Sequence, residues 1–253
     1  MTFRGFCVII NNEYIRGTEN NFMSVKDGFI GDWIMRTVKA VIFDMDGLLL
    51  DTEKLLIRFW IEAANEAGFP MTVEHALSIR SLHRSYAIPY LQGLFGESFD
   101  YFKIRGRRME LINEYLSEHP LELKDGAIEL LDFLNENGLL TAVATATDFE
   151  RTRDYLTRVG IFDKFDRIVC ATMVERGKPS PDIYLYAAEQ LGLSASECMA
   201  LEDSPNGVKS AVSAGCRTVM VPDLTEPDAE LAGLEFEKVS SLRDIAGLLK
   251  ADV

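Results

Sequence analysis

From residue 121 to residue 249 the chain alternates between helical and strand patterns, and few folds accept that rhythm. Parallel strands need long crossovers, so strand, helix, strand in regular succession builds a parallel sheet covered by helices on both faces. Helical spacing runs over 126–137, closed by Gly138, and over 148–159, where Asp148 is placed to cap and Gly160 to stop the helix. Further helices are expected at 179–191, with Pro179 near the first turn, at 205–214, ending at Gly215, and at 241–249. The segments 139–144, 167–171, 198–201 and 217–221 read as short buried strands. A fifth strand comes from much earlier: residues 38–43, Val-Lys-Ala-Val-Ile-Phe, form the near-continuous apolar run of a strand buried on both faces. The expected class is α/β, a Rossmann-like three-layer core with a central parallel sheet.

Between the first strand and the alternating part lies a stretch with helical patterns only, at 53–68, 73–79, 85–94 and 99–117, punctuated by Pro70, Pro89 and Pro120. This predicts an inserted α-helical domain over residues 52–120, with 35–51 and 121–253 forming the core. Residues 1–34 fit neither part: they carry Asn11-Asn12, Asn20-Asn21 and scattered glycines without periodicity. Met35 stands three residues before the first strand, so an upstream-extended start with Met35 as natural initiator is expected, a surface arm being the alternative.

Composition narrows the partners. Twenty-six Lys and Arg against 40 Asp and Glu give a net charge of -14, which repels nucleic acid and anionic lipid. No segment approaches the roughly 20 apolar residues that span a bilayer. Cys7, Cys170, Cys198 and Cys216 form no Cys-x-x-Cys pair, and the three histidines do not complete a zinc site with them. Reduced core cysteines in a cytoplasmic protein are expected, with neither nucleic acid nor membrane as partner.

The chemistry is read at the strand ends, where open α/β sheets collect ligands. The first strand delivers Asp44 and Asp46, two residues apart, onto Gly47. Such a pair can hold a hard cation, attack phosphorus as a carboxylate nucleophile and move a proton. A calcium EF-hand loop is excluded because its fifth, sixth and twelfth positions would be Leu48, Leu49 and Leu55. The second strand ends Ala144-Thr145-Ala146-Thr147-Asp148, a hydroxyl and free amides at a helix N-terminus, suited to an anion. After the third strand comes Gly177-Lys178-Pro179-Ser180-Pro181-Asp182; Pro179 would keep Lys178 out of the helix, and Thr172 rules out a phosphate-binding Walker loop. The fourth strand ends Glu202-Asp203-Ser204, an acidic pair able to reach magnesium. Singly, these are a solvated turn, a cap, a loop lysine and an N-cap; jointly they form a phosphoryl-transfer set.

The ordered motifs Asp44-Met45-Asp46-Gly47-Leu48-Leu49-Leu50-Asp51-Thr52, Ala144-Thr145, Gly177-Lys178-Pro179-Ser180-Pro181-Asp182 and Glu202-Asp203-Ser204-Pro205-Asn206-Gly207-Val208 resemble the haloacid dehalogenase superfamily, specifically its β-phosphoglucomutase-like phosphatases with a helical cap. The resemblance covers residue 35 to the C-terminus. It implies a magnesium-dependent phosphatase that hydrolyses a small phosphorylated metabolite, a sugar phosphate or nucleotide-like monophosphate, through an aspartyl-phosphate, in a monomer or weak dimer. It makes Asp44 the nucleophile and Asp46 the acid/base, with Thr145 on the phosphoryl group and Lys178 offsetting its charge. Asp44, Asp46 (through its carbonyl), Asp203 and Glu202 would serve Mg2+. Thr52 would bond Asp46, Arg84 would hold the remote part of the substrate, and Ala146 and Arg105 would line its site.

The mutase branch carries a cap histidine where an ungapped count from Asp44 reaches Leu56, which favours hydrolysis. A phosphosugar mutase is the alternative within enzymes, and a non-catalytic binding module the alternative outside them. Phosphonate hydrolysis would need a cap lysine, for which Lys54 and Lys103 are the candidates. The run Lys103, Arg105, Arg107, Arg108 is either a solvated helix face or, if turned toward the core, an attractor of anionic substrates.

Overall fold

A computed structural model describes residues 7–10, 13–16, 38–227 and 229–250. The chain divides into two units, Met1–Arg36 and Thr37–Val253. In the first, Cys7–Ile10 (β1) and Glu13–Arg16 (β2) pair antiparallel with Ile10 opposite Glu13. Met35, and the 1–34 extension apart from these two strands, lie outside the described residues.

In the second unit β3 (Ala40–Phe43) is followed by a run of four helices: α1 (Glu53–Glu66), α2 (Val73–Ser78), α3 (Arg84–Phe95) and α4 (Tyr101–Glu118). Then come α5 (Ala127–Glu136), β4 (Leu140–Thr145), α6 (Phe149–Arg158), β5 (Arg167–Cys170), α7 (Asp182–Gln190), β6 (Cys198–Glu202), α8 (Pro205–Ala214), β7 (Arg217–Met220), β8 (Glu237–Lys238) and α9 (Ile245–Lys250). The six strands pair in parallel throughout, in the order β5-β4-β3-β6-β7-β8. Five strands were expected; the sixth, β8, has two residues and is too short to show a periodicity in sequence. Two helix boundaries also differ. Helix α7 begins at Asp182 and not at Pro179, because Pro179 lacks an N–H and Ser180 N turns back to donate to Gly177 O at 3.0 Å. The last helix is preceded by a 3-10 turn at Leu242–Asp244, capped by Ser241.

Alternation along the buried strands divides the core. Val41 and Phe43 face one side with Leu130, Leu131, Leu134 and Leu156 of α5 and α6, whereas Ala40 and Ile42 face the other with Ile183, Ala187 and Ala188 of α7. This three-layer sandwich brings the strands to a common edge: Phe43 is level with Val143 and with Leu201, so Asp44, Thr145 and Glu202 emerge side by side. Two chain crossings connect the sheet to the four-helix segment. Lys124 N donates to Leu49 O at 2.8 Å and Asp51 N to Glu122 O at 3.0 Å, holding the outgoing and returning strands together. Within the segment α1 packs on α4, with Trp60 against Tyr101 at 5.5 Å and Phe59 against Tyr115 at 5.9 Å between ring centroids. Among the described residues no helix is long and apolar enough to cross a membrane.

Candidate active site

Asp44 follows β3 directly and is buried. Its Oδ1 accepts from Lys178 Nζ, and Lys178 also reaches Glu202 Oε1 at 2.6 Å. Glu202 Oε1 is held from a third side by Tyr184 OH at 2.6 Å, over whose ring the Lys178 ammonium lies. Burial alone would lower the Lys178 pKa, but the Asp44 and Glu202 carboxylates raise it further, so the ammonium is charged across the physiological range. Asp44 moves the other way: burial raises its pKa well above the usual carboxylate range, Lys178 opposes this, and Glu202 and Asp203 add repulsion.

Ser204, and not Asp203, caps α8 by accepting from Gly207 N at 3.1 Å. Asp203 is thereby left with both carboxylate oxygens buried and without a hydrogen-bond donor, as is Asp44 Oδ2. The carboxylates of Asp44, Glu202 and Asp203 offer oxygens within 4.8 Å of one another, a group that could hold a metal ion. Two glycines make room for it. Gly47, at φ 89°, has Asp203 Oδ2 only 2.3 Å from where a Cβ would stand, and at Gly207 a Cβ would lie 1.9 Å from the Glu202 carboxyl carbon.

Asp46 leaves the cluster and faces the cavity above it. Its Oδ1 accepts from Thr52 Oγ1 at 2.6 Å and its Oδ2 from Thr147 Oγ1 at 2.8 Å. Thr145 accepts from Thr147 N at 3.1 Å, so the β4 end is a tight turn bonded back on itself. The cavity is lined by Asp44, Asp46, Thr145 and Ala146 from the sheet side, by Leu56, Trp60, Tyr101, Arg105 and Arg108 from the helices, and by Arg80 from the turn after α2.

Of the residues singled out in the sequence, Asp44, Asp46, Thr145, Ala146 and Arg105 line this cavity, while Thr52, Lys178, Glu202 and Asp203 support it from behind. Arg84 is exposed and lines a neighbouring hollow with His83, Phe102 and Asp148. Lys54 and Lys103 are exposed too. The α4 cations divide: Arg105 and Arg108 face the cavity, whereas Arg107 pairs with Glu66 at 2.7 Å on the outside.

Four contributors were not singled out. Thr147 had only its place beside Thr145 to mark it. Glu53, next to Thr52, is buried, and burial raises its carboxyl pKa well above the usual range. Arg108 was seen only as one of a run. Arg80 lies in the turn between α2 and α3, where Ser81 has φ 56°. Its Nη2 donates to Asp203 O at 2.9 Å and to Thr225 Oγ1 at 2.7 Å, and its Nη1 is 3.8 Å from Asp203 Oδ2. The same turn is clasped through main-chain atoms: Asn206 Nδ2 donates to Arg80 O at 3.0 Å and His83 N to Lys178 O at 2.9 Å.

Residues 38–215 match the haloacid dehalogenase-like hydrolases, a span that contains every residue of this strand-end set. The chain belongs to that family. It is 34% identical over 206 residues to hexitol phosphatase A of Escherichia coli K12, covering 78% of this chain and 92% of that protein. With the phosphorylated carbohydrates phosphatase of Thermotoga maritima it shares 32% identity over 186 residues, 72% of this chain and 84% of the relative. Its backbone is similar to that of CbbY from Rhodobacter sphaeroides, solved in complex with phosphate, with a TM-score of 0.71 and 28% identity over 85% of this chain and all of that one. As a member of this family with phosphatases among its relatives, the hydrolase is a phosphoric monoester hydrolase.

Proposed function

We propose that this hydrolase releases phosphate from a small phosphorylated metabolite, of the sugar phosphate or nucleotide-like monophosphate class, through an aspartyl-phosphate on Asp44 with Mg2+ as cofactor. The observation that carries the reading is the division of labour between two neighbouring carboxylates. Asp44 is buried against Lys178 beside an acidic cluster, and Asp46 is held by two hydroxyls facing the cavity.

In this reading an Asp44 carboxylate oxygen attacks phosphorus as the ester P–O bond breaks. Asp46, carrying a proton, gives it to the departing oxygen. Asp46 then takes a proton from water, which attacks the phosphorus and returns Asp44 as a carboxylate. Thr52 and Thr147 hold the Asp46 carboxyl in one orientation for both transfers. Lys178 offsets charge on the transferring group, and Thr145 with the free amides of its turn receives the phosphoryl oxygens.

The buried, donor-free oxygens of Asp44 and Asp203 suit Mg2+, which prefers carboxylate oxygens, and Glu202 would assist from behind. When bound, the ion would supply positive charge against the phosphoryl oxygens. Residues 52–120 would act as a cap that excludes bulk water, with Arg80 and Asn206 closing it on the core. Relatives named for hexitol and carbohydrate phosphates support the substrate class. Leu56 lines the cavity with an apolar side chain where a mutase-like arrangement would carry an imidazole, which favours water as the acceptor. The buried thiols of Cys170, Cys198 and Cys216 are free, in keeping with the cytoplasm.

The test is phosphate release from p-nitrophenyl phosphate and a panel of sugar phosphates, with Mg2+ and with chelator. Asp44→Asn should abolish turnover, and activity retained by that variant would refute the nucleophile.

A further inference from the structure

The α4 end of the cavity holds more positive charge than its neighbours balance. Arg108 is buried, its guanidinium 4.5 Å above the Trp60 ring, and no carboxylate among the described residues forms an ion pair with it. Its Nε has no acceptor, and its one hydrogen bond is a long contact from Nη2 to the Met109 sulfur at 3.7 Å. Arg105, one helical turn earlier, reaches Asp148 Oδ2 at 3.4 Å, but Arg151 shares that same oxygen at 3.3 Å. One carboxylate thus serves two arginines while the third has none. Asp46 favours the Arg108 charge from a distance but forms no ion pair with it, its two oxygens accepting from Thr52 and Thr147.

A second group points the same way. Tyr155 on α6 is buried, and its hydroxyl has no partner among the described residues. It interacts electrostatically with Asp46, Arg151 and Arg108. Burial, with the positive field of Arg105 and Arg151, pushes the Arg108 guanidinium down to about 10, and Tyr101 and Asp46 offset this only in part. A buried guanidinium without an anion is costly, and a ligand that supplies one removes that cost on binding.

We infer that the substrate carries a second anionic group, a carboxylate or a second phosphate, which Arg108 and Arg105 grip at the α4 end of the cavity while its phosphoryl group lies at Asp44. The inference rests on the phosphatase reading and adds a selection to it. A neutral polyol phosphate leaves Arg108 unpaired. A substrate with a remote anion forms charge-assisted hydrogen bonds to Arg108 and Arg105, and the planar fork of Arg108, fixed on Trp60, suits a carboxylate or phosphate edge.

Matched substrates test it in the full-length protein with Mg2+. Sorbitol 6-phosphate against 6-phosphogluconate, and glycerol 3-phosphate against 3-phosphoglycerate, differ by a carboxylate. Fructose 1-phosphate against fructose 1,6-bisphosphate differs by a phosphate. In at least one class the anionic member should exceed its neutral counterpart in kcat/KM by about tenfold or more, chiefly through KM. The class that does so tells carboxylate from phosphate. Arg108→Gln should collapse that ratio toward one, and Arg108→Lys should restore part of it. If Arg108→Gln does not fold, Arg105→Gln and the wild-type ratios decide. Neutral substrates equal to or better than anionic ones in every pair, or a ratio unmoved by Arg108→Gln, would overturn the inference while leaving the phosphatase reading intact. Absence of phosphate release from every compound, p-nitrophenyl phosphate included, would overturn both.

Discussion

Lys178→Met is the most demanding perturbation of the site, because one ammonium holds two buried carboxylates. Its side chain and that of Glu202 are fully buried, Asp44 is nearly so, and the Glu202 contact is 2.6 Å. Methionine fills most of the lysine volume, so the change removes charge with little cavity. Removing one partner from a buried ion pair costs about 3–5 kcal/mol, because the other is left uncompensated. In a domain of this size 1 kcal/mol shifts Tm by about 2–4 °C, so a fall of about 6–20 °C is expected at pH 7.5 in chelator.

The fall should depend on pH in a definite direction. Without Lys178, which opposes the rise, Asp44 moves further above its unfolded value. A carboxylate raised in the folded state contributes stability below its unfolded pKa and loses it as pH climbs through the folded one. The deficit should therefore shrink at pH 5.5, where the freed Asp44 carboxylate takes up a proton. Thermal unfolding by circular dichroism at both pH values, with and without Mg2+, reads this directly. A Tm within 2 °C of wild type at pH 7.5, or an equal deficit at both pH values, would refute the reasoning, since 2 °C is about what 1 kcal/mol gives.

The other expectations are narrower. In the metal-free wild type, burial raises Asp44, Asp203 and Glu53, so stability should fall as pH rises from 5.5 to 8, and the Tm gain from added Mg2+ should be largest at pH 8; a pH-independent Tm in chelator would count against it. Thr147→Val removes a hydroxyl donor from Asp46 and should lower kcat/KM by about 10–100-fold, as expected for a hydrogen bond to a charged group, and steady-state kinetics within threefold of wild type would contradict this. Gly207→Ala places a methyl 1.9 Å from the Glu202 carboxyl carbon and should cost about 1–3 kcal/mol through forced displacement, visible in denaturant unfolding; an unchanged midpoint would show that α8 gives way freely. Arg80→Met leaves Asp203 O and Thr225 without their donor and should speed amide exchange over residues 79–87, which unaltered exchange would disprove.

The strand-end chemistry was legible because a parallel sheet converts sequence order into spatial adjacency. Once residues 38–43 and the later strands are read, Asp44, Thr145 and Glu202 have to emerge at one edge. The helices between β3 and β4 have no such rule. Whether Arg108 or Arg107 faces the cavity depends on how α4 rolls against α1, which the weak apolar stripe of residues 101–108 leaves undecided. Arg80 was hidden for another reason: it belongs to a turn with a left-handed residue, outside any helical period. Thr147 and Ala146 show the same limit at finer scale, since a one-residue change of direction after β4 decides which side chain meets Asp46.

The clasp on the turn between α2 and α3 also bears on how such a site changes over time. Two of its bonds use peptide groups of that turn, Arg80 O and His83 N, and a third ends on the peptide oxygen of Asp203. Replacements at Leu82 or Arg84 leave those peptide groups where they are, whereas Ser81, at φ 56°, accepts few other side chains. The lip of the cavity can therefore be rewritten for a new substrate without loosening its attachment to the catalytic edge, and selection can explore chemistry at these positions at little risk to the fold.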